Sequence, residues 1–470
     1  MKYDLNKIYI PIWISCRTFF QGEEKSRTYI SNEKRHVYVQ LDGLASDMWG
    51  MIYNKTAPQL LYKWAESKNV AEEIEQFIEE LVANELICVK DGNRNESDAM
   101  YDELEASTNE EEKSFFDDMK DWFFDNKLLF SVFFELTYRC DLKCVHCYNP
   151  KNMSDVELDI EKCKKTIDNA YEAGCFRVIF SGGEATLHSR FIEVVKYAKS
   201  KHLSVEIFTN GQRLSKDFGL YKQLLSLYPY RIGISLYSME EKKHEQVTQV
   251  KGSFRNTYEL ICSLRQNNVN VQIKNFLLNI NCMDCIQVKK WAEEKGATSN
   301  ADLSLIPTIE GDKKTMKYML DEDELFALYT DRNSPIYGGD FHVQSDYSKI
   351  MNSSPCYGGF SGLCINPDGK VTICVSMPIS LGNVNETSLR EIWQMAMQKN
   401  PQSQLYQWQK VTIADCKECY KEDYCAFCSY CPGMGYLENG YLKKSDVLCN
   451  QAKVKKKAYE YLQEKGQILF

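Results

Sequence analysis

The chain has 470 residues, against the roughly 150 that one domain usually takes, so several domains are expected. A hydrophobic share of 44% and a charged share of 26% are those of a globular protein with a full core. A net charge of −9 argues against nucleic acid as partner, which would call for a basic stripe, and no apolar stretch reaches membrane-spanning length.

Met1-Lys-Tyr-Asp-Leu-Asn-Lys7 has no hydrophobic signal core, so nothing marks the chain for export. Nineteen cysteines then belong in the reducing cytoplasm, where thiols bind metal rather than pair. Residues 1–92 read as an α+β unit. Lys7–Ser15 and His36–Leu41 are rich in β-branched and aromatic residues, as strands are. Helical patterns follow over Leu44–Tyr53, Gln59–Ser67 and Val70–Asn84, the last with Ile74, Phe77, Ile78 and Leu81 on one face. Residues 93–126 are acidic and polar and read as a linker. Its aromatic tail, Phe115-Phe-Asp-Asp-Met-Lys-Asp-Trp-Phe-Phe124, is suited to docking on the next domain.

From 127 to 330, strands alternate with helices. The strands are Leu129–Thr137, Arg177–Ser181, Ser204–Thr209, Arg231–Tyr237, Asn270–Leu278 and Leu303–Thr308. Helices are expected over Ile160–Ala173, Ser189–Lys201 and Thr257–Asn267. Repeated β-then-α units imply a parallel α/β sheet, with active-site residues at the strands' C-terminal ends. Residues 331–455 carry few periodic elements and nine cysteines, a metal-stapled domain. The end is a basic helical tail, 456–470, with lysines facing solvent.

Cys140-Asp-Leu-Lys-Cys144-Val-His-Cys147 follows the first barrel strand. Three thiols so close cannot form a disulfide framework; such soft ligands select zinc, copper(I) or an iron–sulfur cluster. The spacing leaves one iron of a [4Fe–4S] cube without a protein ligand, free to bind a cofactor. Phe180-Ser-Gly182-Gly183-Glu184 ends the second strand. Its glycines permit close backbone approach to a ligand, and its carboxylate can accept from an ammonium. Further along, Cys356, Cys364 and Cys374 surround an Asp-Gly turn that places the last two on arms of a hairpin. Cys416, Cys419, Cys425, Cys428, Cys431 and Cys449 follow; spaced thiols of this kind would serve zinc ribbons equally well.

CxxxCxxC with Tyr148 after it, then Gly-Gly-Glu one βα unit later, resembles the radical S-adenosylmethionine (radical SAM) enzymes. The resemblance implies a partial (β/α)6 barrel and a SAM-binding [4Fe–4S] cluster on Cys140, Cys144 and Cys147. Gly182, Gly183 and Glu184 would hold the cofactor's amino group, and Asn210 and Ser235 would lie at its ribose and carboxylate. Thr248 stands where many relatives have arginine, so no ion pair is carried over. His146 is expected to pack beside the cofactor, and His188 and His244 to be structural.

The C-terminal cysteines resemble the SPASM domain, which implies two auxiliary [4Fe–4S] clusters, three clusters in all. One would take Cys356, Cys364, Cys374 and either Cys428 or Cys431. Cys431 is favoured because Pro432-Gly433 would fix a turn. The other would take Cys416, Cys419, Cys425 and Cys449. The N-terminal pattern is similar to the winged-helix peptide-recognition domain, which implies a ribosomally made precursor peptide whose leader adds a strand to the sheet. A flavodoxin or ferredoxin would donate electrons. The implied activity is thioether formation from a cysteine sulfur to a peptide carbon. Alternatives are carbon–carbon crosslinking, single-residue oxidation, and a non-catalytic zinc scaffold that binds peptides.

Overall fold

A computed structural model describes residues 4–89, 109–150, 155–337, 358–359, 361–397, 423–429, 431–441 and 443–467. In the N-terminal unit, β1 (Ile8–Tyr9) pairs antiparallel with β5 (Cys88–Val89), closing the unit on itself. Between them β2 (Ile14–Phe19), β3 (Arg27–Asn32) and β4 (Val37–Asp42) form an antiparallel sheet in that order. The expected single strand Lys7–Ser15 is broken: Pro11 offers no N–H to a ladder, and Ile14 N–H closes a turn onto Pro11 O. Strand β3 was absent from the sequence reading because its threonine and serine look solvent-facing; here Thr28 and Ser31 are buried.

Helices α1 (Gly43–Tyr53), α2 (Pro58–Lys68) and α3 (Glu73–Ala83) cover the sheet much as expected. Ile74, Ile78 and Leu81 turn one face of α3 into the core. The expected acidic linker ends instead in α4 (Asn109–Asp125). Phe116, Met119 and Phe123 form its buried stripe, which packs on Phe19 and Tyr29 of the N-terminal sheet and on Phe130, Phe176 and Tyr230 of the next domain. Its polar residues flank that stripe, so composition alone conceals the helix.

The central sheet has six parallel strands in sequential order: β6 (Ser131–Thr137), β7 (Arg177–Gly182), β8 (Ser204–Thr209), β9 (Arg231–Ser235), β10 (Val271–Phe276) and β11 (Thr298–Asp302). Helices α5 (Ile160–Glu172), α6 (Phe191–Ser200), α7 (Gln212–Lys216), α8 (Phe218–Leu225), α9 (Glu241–Thr248), α10 (Ser253–Gln266) and α11 (Asp284–Glu294) lie between strands. Phe134, Val178, Ile207, Ile234 and Ile273 are fully buried in a core shared with these helices. The intervening strand residues face inward. Six β/α units in this order make the partial barrel that was expected.

The sixth strand is a correction. Leu303–Thr308 was expected; the strand is Thr298–Asp302, paired with β10 from Gln272↔Thr298 to Phe276↔Asp302. An edge strand has one exposed flank and needs no apolar run, whereas Leu305 and Ile306 are buried without belonging to a strand. On the other side of β6 the sheet continues into the C-terminal domain. Strand β12 (Gly362–Ile365) runs parallel to β6, followed by antiparallel β13 (Lys370–Cys374) and β14 (Met377–Asn383).

The C-terminal helix Asp446–Glu464 crosses the expected boundary at 455/456 without a break. Its Val454 and Ala458 pack on Leu325, Leu328 and Tyr329 of α12 (Glu322–Thr330). Nor do all its lysines face solvent: Lys455 is buried and donates to Ser429 Oγ at 2.9 Å.

Candidate active site

Strand β6 delivers the cysteine loop at the C-terminal end of the sheet. Cys140 is exposed, and Cys144 and Cys147 are half-buried. Although the residue has an open edge, the protein packed around its sulfur pushes the Cys140 thiol up to about 12, and the charges of Glu184, Asp141 and Cys147 raise it further. Burial also raises Cys144, with Cys147 and Cys140 adding to the effect. The three sulfurs therefore sit within electrostatic reach of one another. Such a trio ionises only when a cation supplies the missing charge.

Among the described residues no three His, Cys, Asp or Glu side chains close on a point as a lone metal ion requires. Three soft thiols on one short loop are the donor set an iron–sulfur cluster takes. Two N–H groups already point at Cys140 Sγ, from Leu142 at 3.5 Å and Asn210 Nδ2 at 3.7 Å. Hydrogen bonds to sulfur of this kind tune cluster potentials.

Gly182 and Gly183 are required by the backbone packed beside them. A Cβ at Gly182 would stand 2.3 Å from Thr137 O, and one at Gly183 2.4 Å from Arg139 O. The close approach is to the backbone that launches the cysteine loop, sealed by Gly183 N–H to Thr137 O and Glu184 N–H to Arg139 O. Glu184 is 1% exposed. Its carboxylate accepts from Thr186 N–H and Oγ1, Thr209 Oγ1 and Asn210 N–H, at 2.6–3.1 Å. A carboxylate has about four acceptor positions. Oε1 takes three of these hydrogen bonds and Oε2 one, so Glu184 ties the ends of β7 and β8 together and keeps an acceptor position on Oε2. Asn210 continues the tie, donating to Asp141 Oδ1 at 2.7 Å.

Ser235, half-buried at the end of β9, lies in register with Lys274 of β10. His146 is half-buried: its ring stacks on Phe276 at 5.0 Å, and Nε2 stands 3.4 Å from the Tyr237 hydroxyl. Burial lowers its pKa to about 4, so it stays neutral. His188 is structural, its Nε2 2.7 Å from Leu158 O. His244 is buried with Nδ1 accepting from Tyr237 N–H.

Glu135 escaped the sequence reading. It is fully buried on β6 and accepts from the Tyr138 hydroxyl at 3.0 Å and the Tyr148 hydroxyl at 3.1 Å. Burial pushes its pKa up to about 7. Asn366 donates to Tyr138 Oη at 2.9 Å, linking the cysteine loop to the C-terminal hairpin. The available signal was an acid inside the apolar run Phe133-Phe-Glu-Leu136, where a solvated carboxylate has no place.

Of the C-terminal cysteines, Cys356, Cys416 and Cys419 lie outside the described residues. Cys364 and Cys374 occupy the two arms of the β12–β13 hairpin as expected, with Cys364 opposite Thr372 and Gly369 at φ +85° in the turn. Cys364 is buried at the barrel junction, close enough to Cys374 and Glu135 for their charges to raise its pKa beyond what burial does. Cys428 and Cys431 both pack in a cluster with Tyr148, Ile306 and Met434. The turn expected at Pro432-Gly433 is instead the start of the helix Pro432–Asn439, with Cys431 as its N-cap. Proline suits a first helical position, and Gly433 lets the helix meet Ser376 O, 2.5 Å from where its Cβ would be. Cys425 lies in the turn Asp423–Phe427 and Cys449 on the helix Asp446–Glu464.

Residues 134–283 match the radical SAM superfamily, and residues 356–432 match the SPASM iron–sulfur cluster-binding domain. The chain is 27% identical over 339 residues to the antilisterial bacteriocin subtilosin biosynthesis protein AlbA of Bacillus subtilis, covering 68% of this chain and 70% of that protein. It is 26% identical over 290 residues to an AdoMet-dependent heme synthase of Methanosarcina barkeri, covering 56% and 82%. In fold it resembles Streptococcus suis SuiB, solved with its precursor peptide SuiA. The TM-score is 0.54 at 13% identity, over 94% of this chain and 99% of that one. The two domains imply iron–sulfur clusters and S-adenosylmethionine. The chain carries a radical SAM domain followed by a SPASM domain and is an enzyme of the radical SAM superfamily.

Proposed function

We propose that this enzyme matures a ribosomally made precursor peptide by forming a thioether between a cysteine sulfur and a peptide carbon. The observation that carries the reading is the relationship to AlbA, a bacteriocin biosynthesis protein, over 68% of this chain. The likeness to SuiB, which was solved with its precursor peptide, supports it and spans 94% of the chain. In this reading the N-terminal unit, three antiparallel strands followed by three helices, binds the leader of the peptide by strand addition.

Cys140, Cys144 and Cys147 hold the SAM-binding cluster. Cys356, Cys364, Cys374 and one of Cys428 or Cys431 hold the first auxiliary cluster; Cys416, Cys419, Cys425 and Cys449 hold the second. On one-electron reduction, a bound cluster and S-adenosylmethionine supply a 5′-deoxyadenosyl radical able to take hydrogen from carbon. The chain's own residues do the placing. Gly182 and Gly183 set the strand end against the cysteine loop, and Asn210 fixes Asp141 and points at Cys140 Sγ. His146, neutral and stacked on Phe276, walls the loop from the core. Across the reaction one C–H and one S–H become one C–S bond. The hydrogen atom leaves on the adenosyl carbon and the thiol proton goes to solvent. The surplus electron would pass from the peptide to an auxiliary cluster held by the C-terminal cysteines, and a flavodoxin or ferredoxin would supply the electron that starts the reaction.

The test is turnover of a cysteine-containing precursor peptide encoded beside this chain, under reductant and S-adenosylmethionine without air. A thioether removes two hydrogens per crosslink and one alkylatable thiol. The same mass loss with all thiols free would mean carbon–carbon bonding. An unchanged peptide with a modified porphyrin would favour the heme-synthase-like reading that the second relative suggests.

A further inference from the structure

The inner face of the barrel sheet carries a lysine that the chemistry above leaves unused. Ile273 of β10 is fully buried toward the helices, so strand alternation turns Lys274 inward. There its ammonium lies 4.0 Å from the centroid of the Phe208 ring. The space for this contact is left by Gly233, where a Cβ would stand 2.8 Å from Phe208 and 3.2 Å from Lys274 Cε. Lys274 pairs in register with Ser235. Phe276, the next inward residue on the strand, stacks on His146 of the cysteine loop. Two strand residues span about 6.6 Å, so Lys274 sits one side-chain layer beneath that loop.

Among the described residues its ammonium has no hydrogen-bond or ion-pair partner. The charged groups facing it are Glu206, Arg231 and Asp302. Glu206 is taken by Arg231, Oε1 to Nε at 2.8 Å, and Asp302 acts only from a distance. Burial therefore lowers the lysine's pKa, and those carboxylates do not compensate. One layer further in on the same face, Gln272 Oε1 is buried without a donor. A ring contact offsets only part of the cost of such a cation, and a few converging polar groups in an otherwise closed wall are what orient a ligand.

We propose that Lys274 is the carboxylate-binding residue of the barrel interior, completed by an acid group that a ligand brings. The inference rests on the radical SAM reading and has two sources for that group: the amino-acid end of S-adenosylmethionine, or an acidic side chain of the substrate. Calorimetric titration of anaerobically reconstituted wild type, K274M and K274R, matched in iron content and melting temperature, separates them. The first probes are S-adenosylmethionine and its decarboxylated analogue. The second pair, added to SAM-saturated protein, are N-acetylglutamate α-amide and N-acetylglutamine α-amide.

K274M should weaken one of the two acidic probes by about tenfold or more, with K274R weakening it less and the matching neutral probe unmoved. Which acidic probe responds identifies the source. Both acidic probes within about twofold of wild type, or equal losses for acidic and neutral probes, would overturn the proposal. Wild type that holds no iron and forms no 5′-deoxyadenosine would instead count against the radical SAM reading.

Discussion

Lys199 and Lys274 both withdraw from bulk water, and the regions around them treat the charge in opposite ways. Where the N-terminal unit meets the barrel, Lys199 of α6 is fully buried with Nζ 3.4 Å from Glu33 Oε2. Ser15 donates to the other carboxylate oxygen of Glu33. Burial pushes both partners toward their neutral forms, raising Glu33 and lowering Lys199, while each counters the other. Inside the barrel, Lys274 receives an aromatic face and no anion among the described residues. The fold satisfies a cation where the cation serves architecture. Where it does not, beside the candidate active site, the partner comes from outside.

The contrast breaks most readily at the interface. Lys199→Met leaves Glu33 buried without its cation and should cost about 3–5 kcal/mol. The double variant Glu33→Gln, Lys199→Met should recover most of that loss in thermal or urea unfolding. A single variant within about 1 kcal/mol of wild type would show that the two regions do not differ as argued. Lys274→Met, by the same measurement, should change stability by less than about 1 kcal/mol while losing about tenfold in affinity for an acidic probe.

The smallest effect concerns a third buried base. Burial lowers the His244 pKa from 6.5 to about 4. Below pH 6.5 the unfolded chain binds a proton that the folded chain refuses, so this group's contribution is full above that value and is lost as pH falls toward 4. Between about pH 7.5 and about pH 5.5 the loss should be about 1 kcal/mol. His244→Gln should flatten that part of the pH–stability curve relative to wild type. An unchanged slope would contradict the burial argument.

The sequence revealed most where one residue type has one use. The spacing of Cys140, Cys144 and Cys147, and Gly-Gly-Glu one βα unit later, marks the candidate site because few other roles ask for those residues there. The first five barrel strands were legible from apolar runs, since each is buried on its helix-facing side. The sixth was misplaced because Thr298-Ser-Asn-Ala-Asp302 is an edge held by backbone pairing, which leaves no side-chain signature. Lys274 and Glu135 were passed over for a related reason. Periodicity reports which residues face the helices, and a polar residue in the alternate position reads the same whether it meets solvent or an active site. Glu184 shows a further limit: the motif carries no sign that its carboxylate also ties the protein's own strand ends together.

The most direct test of the account is iron and turnover in wild type against the triple variant Cys140→Ala, Cys144→Ala, Cys147→Ala, both reconstituted without air. Wild type should bind about twelve irons and the variant about eight. Only wild type should form 5′-deoxyadenosine when given reductant and S-adenosylmethionine. Equal iron in the two proteins, zinc in place of iron, or 5′-deoxyadenosine from the variant would contradict the assignment of the cysteine loop.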